Sequence, residues 1–339
     1  MELIIGLRIT SIKPHMPIAC SCRSGLRGLP SPAMADTTPK SKPIRPAFAF
    51  LFLILCGLLW GSNITVGRAV HDEFSAVALA FFRNATAMVV LLIILRRQWH
   101  LLVPAYKAHW RIILPAGVIG TALFNVTLYT SVQTTTAVNA GIAMSLTPAV
   151  VPVIAYFLLG SLFTLRQAVG VVVSFIGVGV VLARGNIEVL TTLSITEGDL
   201  IAIGAMICWS YYSVLVKKRP DDLAPNLFLV ALLICAVVSL LPFFVAEAIS
   251  GTVLPENRQS LLAAAYVGIF PTLVALFLFN RAIDSVGPNV AGHFQHAVPL
   301  FAALLGILFL GERLALYHGI AAALIAAGIY WATSSAKTK

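Results

Sequence analysis

The feature that most constrains this chain is a succession of ten apolar stretches, each about 20 residues long and separated by short polar knots. They lie near residues 47–66, 74–95, 112–132, 137–160, 167–183, 199–216, 226–246, 260–280, 288–310 and 315–333. About 20 residues of helix cross the ~30 Å hydrocarbon core of a bilayer, and a backbone inside that core must satisfy its own hydrogen bonds. Each stretch is therefore predicted to be a transmembrane helix, and the fold class an all-α integral membrane protein. Only 11% of the 339 residues are charged and 59% are hydrophobic, where an ordinary soluble domain carries about 25% charged residues. A water-soluble globular fold is excluded. No connection is long enough to hold a soluble domain, so any chemistry takes place within or beside the bilayer.

The net charge of +10 would suggest nucleic acid in a soluble protein. Here Lys and Arg flank the spans, and the pattern reads as topology rather than as a nucleic-acid surface. One side collects Lys40, Lys42, Arg45, Arg96, Arg97, Lys107, Arg111, Arg166, Lys217, Lys218, Arg219, Arg281, Lys337 and Lys339; the other has Arg68, Arg184, Arg258 and Arg313. Cytoplasmic loops retain positive charge, which predicts a multi-pass protein of the cell (inner) membrane with both termini cytoplasmic and hence an even number of spans. Residues 1–46 form a polar N-terminal tail whose apolar start, Leu3–Leu7, is too short for a signal-peptide core. Met34 is an alternative start, and residues 334–339 form a C-terminal tail. Five scattered cysteines, Cys20, Cys22, Cys56, Cys208 and Cys235, show neither metal spacing nor a disulfide framework, so no metal site and no cofactor is expected.

An internal repeat organises the spans. A shift of 151 positions lays Gly141 on Gly292, Pro148 on Pro299, Gly160 on Gly311 and Gly177 on Gly328, and a shift of 149 pairs Trp60 with Trp209. Residues 47–183 and 199–333 then each hold five spans. An odd number per copy makes the two copies enter the membrane from opposite sides, so the prediction is ten transmembrane helices as two inverted five-helix repeats. Such symmetry serves transporters, because two pseudo-equivalent halves can exchange an outward-open for an inward-open state about a central site.

Several segments resemble the EamA-type members of the drug/metabolite transporter superfamily. Leu58-Leu59-Trp60-Gly61-Ser62-Asn63 looks like the family's opening signature, and Arg83 matches its arginine in span two. Gly198-Asp199-Leu200, followed by Ala205 and Trp209, is similar to the start of the second repeat. Pro299, the run Leu308-Phe309-Leu310-Gly311-Glu312-Arg313-Leu314 and Gly328 resemble its end; Ser161 stands where the first repeat would show the counterpart of Glu312. The resemblance covers about residues 47–333 and implies export of small metabolites such as amino acids, or of toxic compounds, through a cavity between the halves.

Polar groups inside a span need either a helix–helix hydrogen bond or a wet pathway. Thr121, Asn125 and Tyr129 recur every four residues, and Asn289, His293 and His296 share a face of span nine. Asn125, Tyr129, Asn289, His293 and His296 are candidate pathway residues; Thr121 reads as interhelical glue and Gln295 as an interhelical partner. Two imidazoles in one span can bind a solute and move a proton, which makes the proton a candidate coupling ion. Arg83 either contacts substrate or anchors neighbouring carbonyls. Trp60 and Trp209 occupy matched mid-span positions, with Asn63 and Tyr212 three residues beyond them, and are candidate cavity walls. Pro148, Pro152, Pro271 and Pro299 are candidate hinges, since proline breaks the helical hydrogen-bond ladder. Gly170 and Ser174 in span five, and Ala322, Ala326 and Ala327 in span ten, suggest close packing against another helix, including one from a second subunit in a homodimer.

Phosphate loops, zinc-protease helices and nucleophile elbows are absent from the sequence, so an enzyme is not expected. A secondary exporter of metabolites or drugs fits these observations. A sugar-phosphate or nucleotide-sugar exchanger would need several basic residues in its cavity, and a membrane enzyme or receptor would need a reactive cluster in a loop.

Overall fold

The computed structural model describes residues 44–69, 74–134, 145–183, 185–191, 196–251, 258–310 and 315–334. The tail with Met34, the C-terminal residues from 335, Gly141, Arg184 and the stretch 311–314 with Glu312 lie outside the described residues. Among the described residues all regular structure is helical. Helices α1 (Pro46–Ala69) and α2 (Ala76–Ile94) are followed by a 3-10 turn (Arg96–Leu101) and α3 (Leu102–Gly117), which runs through a π turn (Val118–Leu123) into α4 (Phe124–Thr134). Then come α5 (Thr147–Leu159), α6 (Leu165–Leu182) and the short α7 (Glu188–Thr191). The second half opens with α8 (Glu197–Lys218) and α9 (Pro225–Ile249); α10 (Arg258–Val267) passes through another π turn (Gly268–Val274) into α11 (Ala275–His293). A 3-10 turn (Phe294–His296) leads to α12 (Ala297–Leu310), and α13 (Leu316–Ser334) follows. Seven of the continuous helical segments are long and apolar enough to cross a membrane. The protein is a multi-pass membrane protein.

Local chemistry sets the helix ends. Ser75 caps α2 by accepting the Ala78 N–H at 2.9 Å, and its hydroxyl donates to Glu247 at the end of α9. Thr196 and Asp199 form a capping box at the start of α8. Gly287, at φ 82° and ψ 164°, breaks α11, and Pro288 opens the segment beyond it. The expected loop at 281–287 is accordingly helical up to Val286, and the turn is a single glycine. Span three begins ten residues earlier than its apolar run, because α3 starts at Leu102 with an interfacial stretch kinked at His109 and flanked by the exposed Trp99 and Trp110.

Two of the four prolines sit elsewhere than in a helix interior. Pro148 and Pro299 occupy the first turns of α5 and α12, where a missing N–H breaks no hydrogen bond; Pro152 lies inside α5 and Pro271 inside the second π turn. The small faces of α6 and α13 pack on each other. A Cβ on Gly170 would come 2.6 Å from the Gly328 carbonyl oxygen, and one on Gly177 2.9 Å from Ile325. The buried side of α13 is Ala321, Ile325, Gly328 and Ala332, whereas Ala326 and Ala327 are exposed, so the expected alanine face points away from that contact.

The remaining packing is reciprocal between the halves. Helix α1 lies against α11 and α12, and α8 lies against α4 and α5; α2 crosses the second π turn, and α9 crosses the first. Each crossing is built on a glycine. A Cβ on Gly117 would stand 2.5 Å from the Leu232 carbonyl oxygen and Cys235 Cβ, and one on Gly268 2.9 Å from the Arg83 carbonyl oxygen and 2.6 Å from Thr86 Cβ. Gly117 and Gly268 are 151 positions apart, and Arg83 and Leu232 are 149 apart.

Candidate functional site

The two π turns share one device. In the first, the Thr121 hydroxyl donates to the Ala116 carbonyl at 3.1 Å; in the second, Thr272 donates to the Val267 carbonyl at 2.8 Å. Both acceptors lie five residues back, the spacing of a π turn, and such turns concentrate at functional sites. Thr121 bonds its own helix rather than a neighbouring one.

Around these turns the structure joins six of the sequence candidates. Arg83 is 5% exposed. Its Nε–H donates to Thr272 Oγ1 at 2.8 Å and its Nη1–H to the Tyr129 hydroxyl at 2.6 Å, with the guanidinium carbon 5.6 Å from the Tyr129 ring centre. Tyr129 in turn points its hydroxyl at Asn63 Oδ1, 3.5 Å away. One turn back on α1, Trp60 Nε1–H donates to the Pro271 carbonyl at 3.0 Å. Trp60 meets Trp209 edge-on at 5.2 Å, and Phe279 lies 5.2 Å from both. Phe124 and Tyr212 flank Trp209 at 5.0 and 5.3 Å. Tyr212 closes the set by donating to Asn280 Oδ1 at 2.8 Å. Trp209 Nε1 and Asn280 Nδ2 are buried donors without acceptors, and Asn125 Oδ1, one turn from Tyr129, is a buried acceptor without a donor.

The residues of span nine form a separate cluster. The ring of His296 is fully buried; its Nε2–H donates to the Ser145 carbonyl at 2.7 Å, and its Nδ1 pairs with the Ser174 hydroxyl on α6. A carbonyl can only accept, so Nε2 carries a proton, while the Ser174 hydroxyl also donates to the Gly170 carbonyl of its own helix at 2.7 Å. His293 donates from Nδ1 to the Asn289 carbonyl at 2.5 Å, while Asn289 Oδ1 is buried without a partner. Gln295 Nε2 is likewise buried without a partner. Because the backbone tightens to a 3-10 turn at Phe294–His296, His296 leaves the helical stripe that its spacing implied and bonds sideways to α6 and the Ser145 turn.

The sequence profile of the EamA-like transporter family matches residues 47–183 and again 196–334. The chain belongs to the EamA-like transporter family. Among its relatives, the uncharacterized transporter YyaM of Bacillus subtilis is 25% identical over 286 residues, covering 84% of this chain and 93% of YyaM. The uncharacterized inner membrane transporter YedA of Escherichia coli K12 is 25% identical over 293 residues, 84% of this chain and 89% of its own. A solved crystal structure superposes with a TM-score of 0.70 at 17% identity, covering 86% of this chain and 98% of its own, which is a likeness of fold.

In this EamA-like transporter, sequence reasoning missed Thr272, Asn280, Phe279 and Phe124. The repeat offset contained a signal for two of them. Adding 151 to Thr121 gives Thr272, and adding 151 to Tyr129 gives Asn280. The two phenylalanines had no such mark, since an apolar residue in an apolar span looks alike whether it faces lipid or the protein centre.

Proposed function

We propose that the protein is a secondary transporter that exports small metabolites, such as amino acids and related compounds, or drugs, by alternating access. Its ten transmembrane helices form two inverted five-helix repeats, residues 47–183 and 199–333. The observation that carries this reading is the reciprocal pair of crossings, α2 over the second π turn at Gly268 and α9 over the first at Gly117. Two halves that clasp each other through equivalent contacts have two equivalent ways to tilt, one opening each side.

The length of the longest apolar stretch supports this reading. The 45-residue apolar stretch Arg258–Ala302 exceeds twice the ~20 residues one crossing needs, and Gly287 divides it; a count of ten further takes the shorter apolar helices Thr147–Leu159 and Leu165–Val180 as crossings. The orientation reading draws support from one end of the bundle. There the Ile44 N–H donates to Ser285 at 3.1 Å, Lys217 to the Asp284 carbonyl at 3.1 Å, and Arg219 pairs with the Asp284 carboxylate at 2.8 Å. These basic segments belong to the Lys/Arg-rich side, which is the cytoplasm.

The pathway runs along the axis of the two halves, past Trp60, Asn63, Arg83, Asn125, Tyr129, Trp209 and Tyr212. His293 and His296, with Asn289, handle the coupling proton. The test compares intracellular accumulation of a panel of amino acids and cationic drugs in cells with and without the gene. Lower accumulation of at least one class is expected in cells that have it, and equal accumulation of every compound would remove the export reading.

A further inference from the structure

We propose that Arg83 is the anion-binding centre of a site for small organic monocarboxylates that carry an apolar body. The proposal deepens the transporter reading and rests on it for the site's place on the pathway.

The charge comes first. A guanidinium has five N–H donors and no acceptor. Arg83 spends one donor on Thr272 and one on Tyr129, leaving three. Neither partner can neutralise it, because both are neutral hydroxyls whose own protons point away, to the Val267 carbonyl and toward Asn63 Oδ1. The ion pairs among the described residues are His109–Asp222 and Arg219–Asp284, and neither touches Arg83. A charge buried without a counter-charge is costly, and in a membrane span it marks a pathway or a ligand. Thr272 and Tyr129 hold the guanidinium plane in place while leaving its remaining edge for a bidentate partner, the geometry a carboxylate fits.

The fold does not need this charge. The same glycine crossing is built in the other half with Leu232 at the position 149 residues on from Arg83, and Leu232 is fully buried there. Helix packing accounts for a leucine, not for an arginine.

The rest of the ligand follows from the neighbours. Trp60, one turn from Asn63 on α1, opens the aromatic group of Trp209, Phe279 and Phe124, a surface suited to an apolar or aromatic body. Two further buried donors without acceptors, Trp209 Nε1–H and Asn280 Nδ2–H, lie in the same network and favour an electron-rich solute. One fixed cation among neutral groups suits a monoanion better than a phosphate dianion.

The experiment uses the purified full chain in nanodiscs, with binding read from tryptophan fluorescence and, separately, flux read from the same protein in liposomes. The probes are 3-phenylpropionate, 3-phenylpropylamine, 3-phenylpropanol and phenyl phosphate, which share a body and differ in charge. Wild type is expected to bind the carboxylate about tenfold or more tighter than the alcohol and the amine, the scale of a charge-assisted hydrogen bond. Arg83→Gln is expected to lose that preference and Arg83→Lys to keep part of it. Equal binding of amine and carboxylate, preference for phenyl phosphate, or undiminished carboxylate preference in Arg83→Gln would each overturn the proposal. If Arg83→Gln does not fold, the wild-type ratio of carboxylate to alcohol decides alone, and a ratio near one refutes it. Carboxylate that binds through Arg83 but is not moved in liposomes would sink the transporter reading and leave the site standing.

Discussion

Tyr212 donates its phenolic hydrogen to Asn280 Oδ1 at 2.8 Å, and Asn63 and Tyr129 form the same pair with the residue types exchanged, at 3.5 Å. Asn63 and Tyr212 are 149 positions apart, and Tyr129 and Asn280 are 151 apart, so these are one contact present in both halves. One copy is short and the other long.

The short copy is expected to hold the halves more firmly. In a double-mutant cycle, Tyr212→Phe and Asn280→Ala should couple by about 1 kcal/mol, the scale of a polar contact between membrane helices. Asn63→Ala and Tyr129→Phe should couple by less. Thermal unfolding of the purified protein in detergent measures both. A larger coupling at Asn63–Tyr129 would overturn that ranking.

The glycine crossings make a second prediction. Gly117→Ala and Gly268→Ala each place a methyl within 2.5–2.6 Å of a neighbouring atom and should cost about 1–3 kcal/mol through overpacking. Gly204→Ala, in α8 with no atom within 4 Å of the new methyl, should be neutral or mildly stabilising. Folded yield and melting temperature compare the three, and a tolerant Gly117 and Gly268 would show that the crossings open freely.

His293 and His296 should set the pH response of transport. An amide cannot titrate between pH 5 and 8, so His296→Gln and His293→Gln should flatten the pH profile of flux in vesicles when normalised to inserted protein. The bonds of His296 to Ser145 and Ser174 join three parts of the chain, and His296→Ala should also destabilise the protein by about 2 kcal/mol through buried groups left unpaired. Unchanged profiles in both glutamine variants would take the histidines out of proton coupling and leave the polar centre at Asn125, Tyr129 and Arg83.

Topology gives a fourth prediction. Reporter fusions at Lys107, Lys218 and Lys339 should read as cytoplasmic, and fusions near Glu188 and Arg258 as the opposite side. A cytoplasmic signal at Glu188 would break the five-plus-five arrangement.

The sequence by itself determined that the chain crosses a membrane as helices and that its two halves are copies, because hydropathy and the recurrence of glycine, proline and tryptophan need no neighbour to be read. It also marked Trp60, Asn63, Arg83, Tyr129, Trp209 and Tyr212, since a polar or aromatic group in an apolar span stands out from its surroundings. Only the tertiary structure decided which of them meet. Arg83 finds Thr272 and Tyr129 because α2 crosses a π turn, and a π turn shifts every later side chain around the helix in a way that spacing rules built on 3.6 residues per turn do not anticipate. For the same reason the even stripe of Asn289, His293 and His296 was an incomplete guide, as the backbone winds tighter at Phe294–His296 and swings His296 toward α6. Packing partners at the site lie from 46 residues apart, at Arg83 and Tyr129, to 211 apart, at Trp60 and Pro271, and which small face meets which helix depends on backbone approach at Gly170 and Gly328, a distance that no local pattern contains.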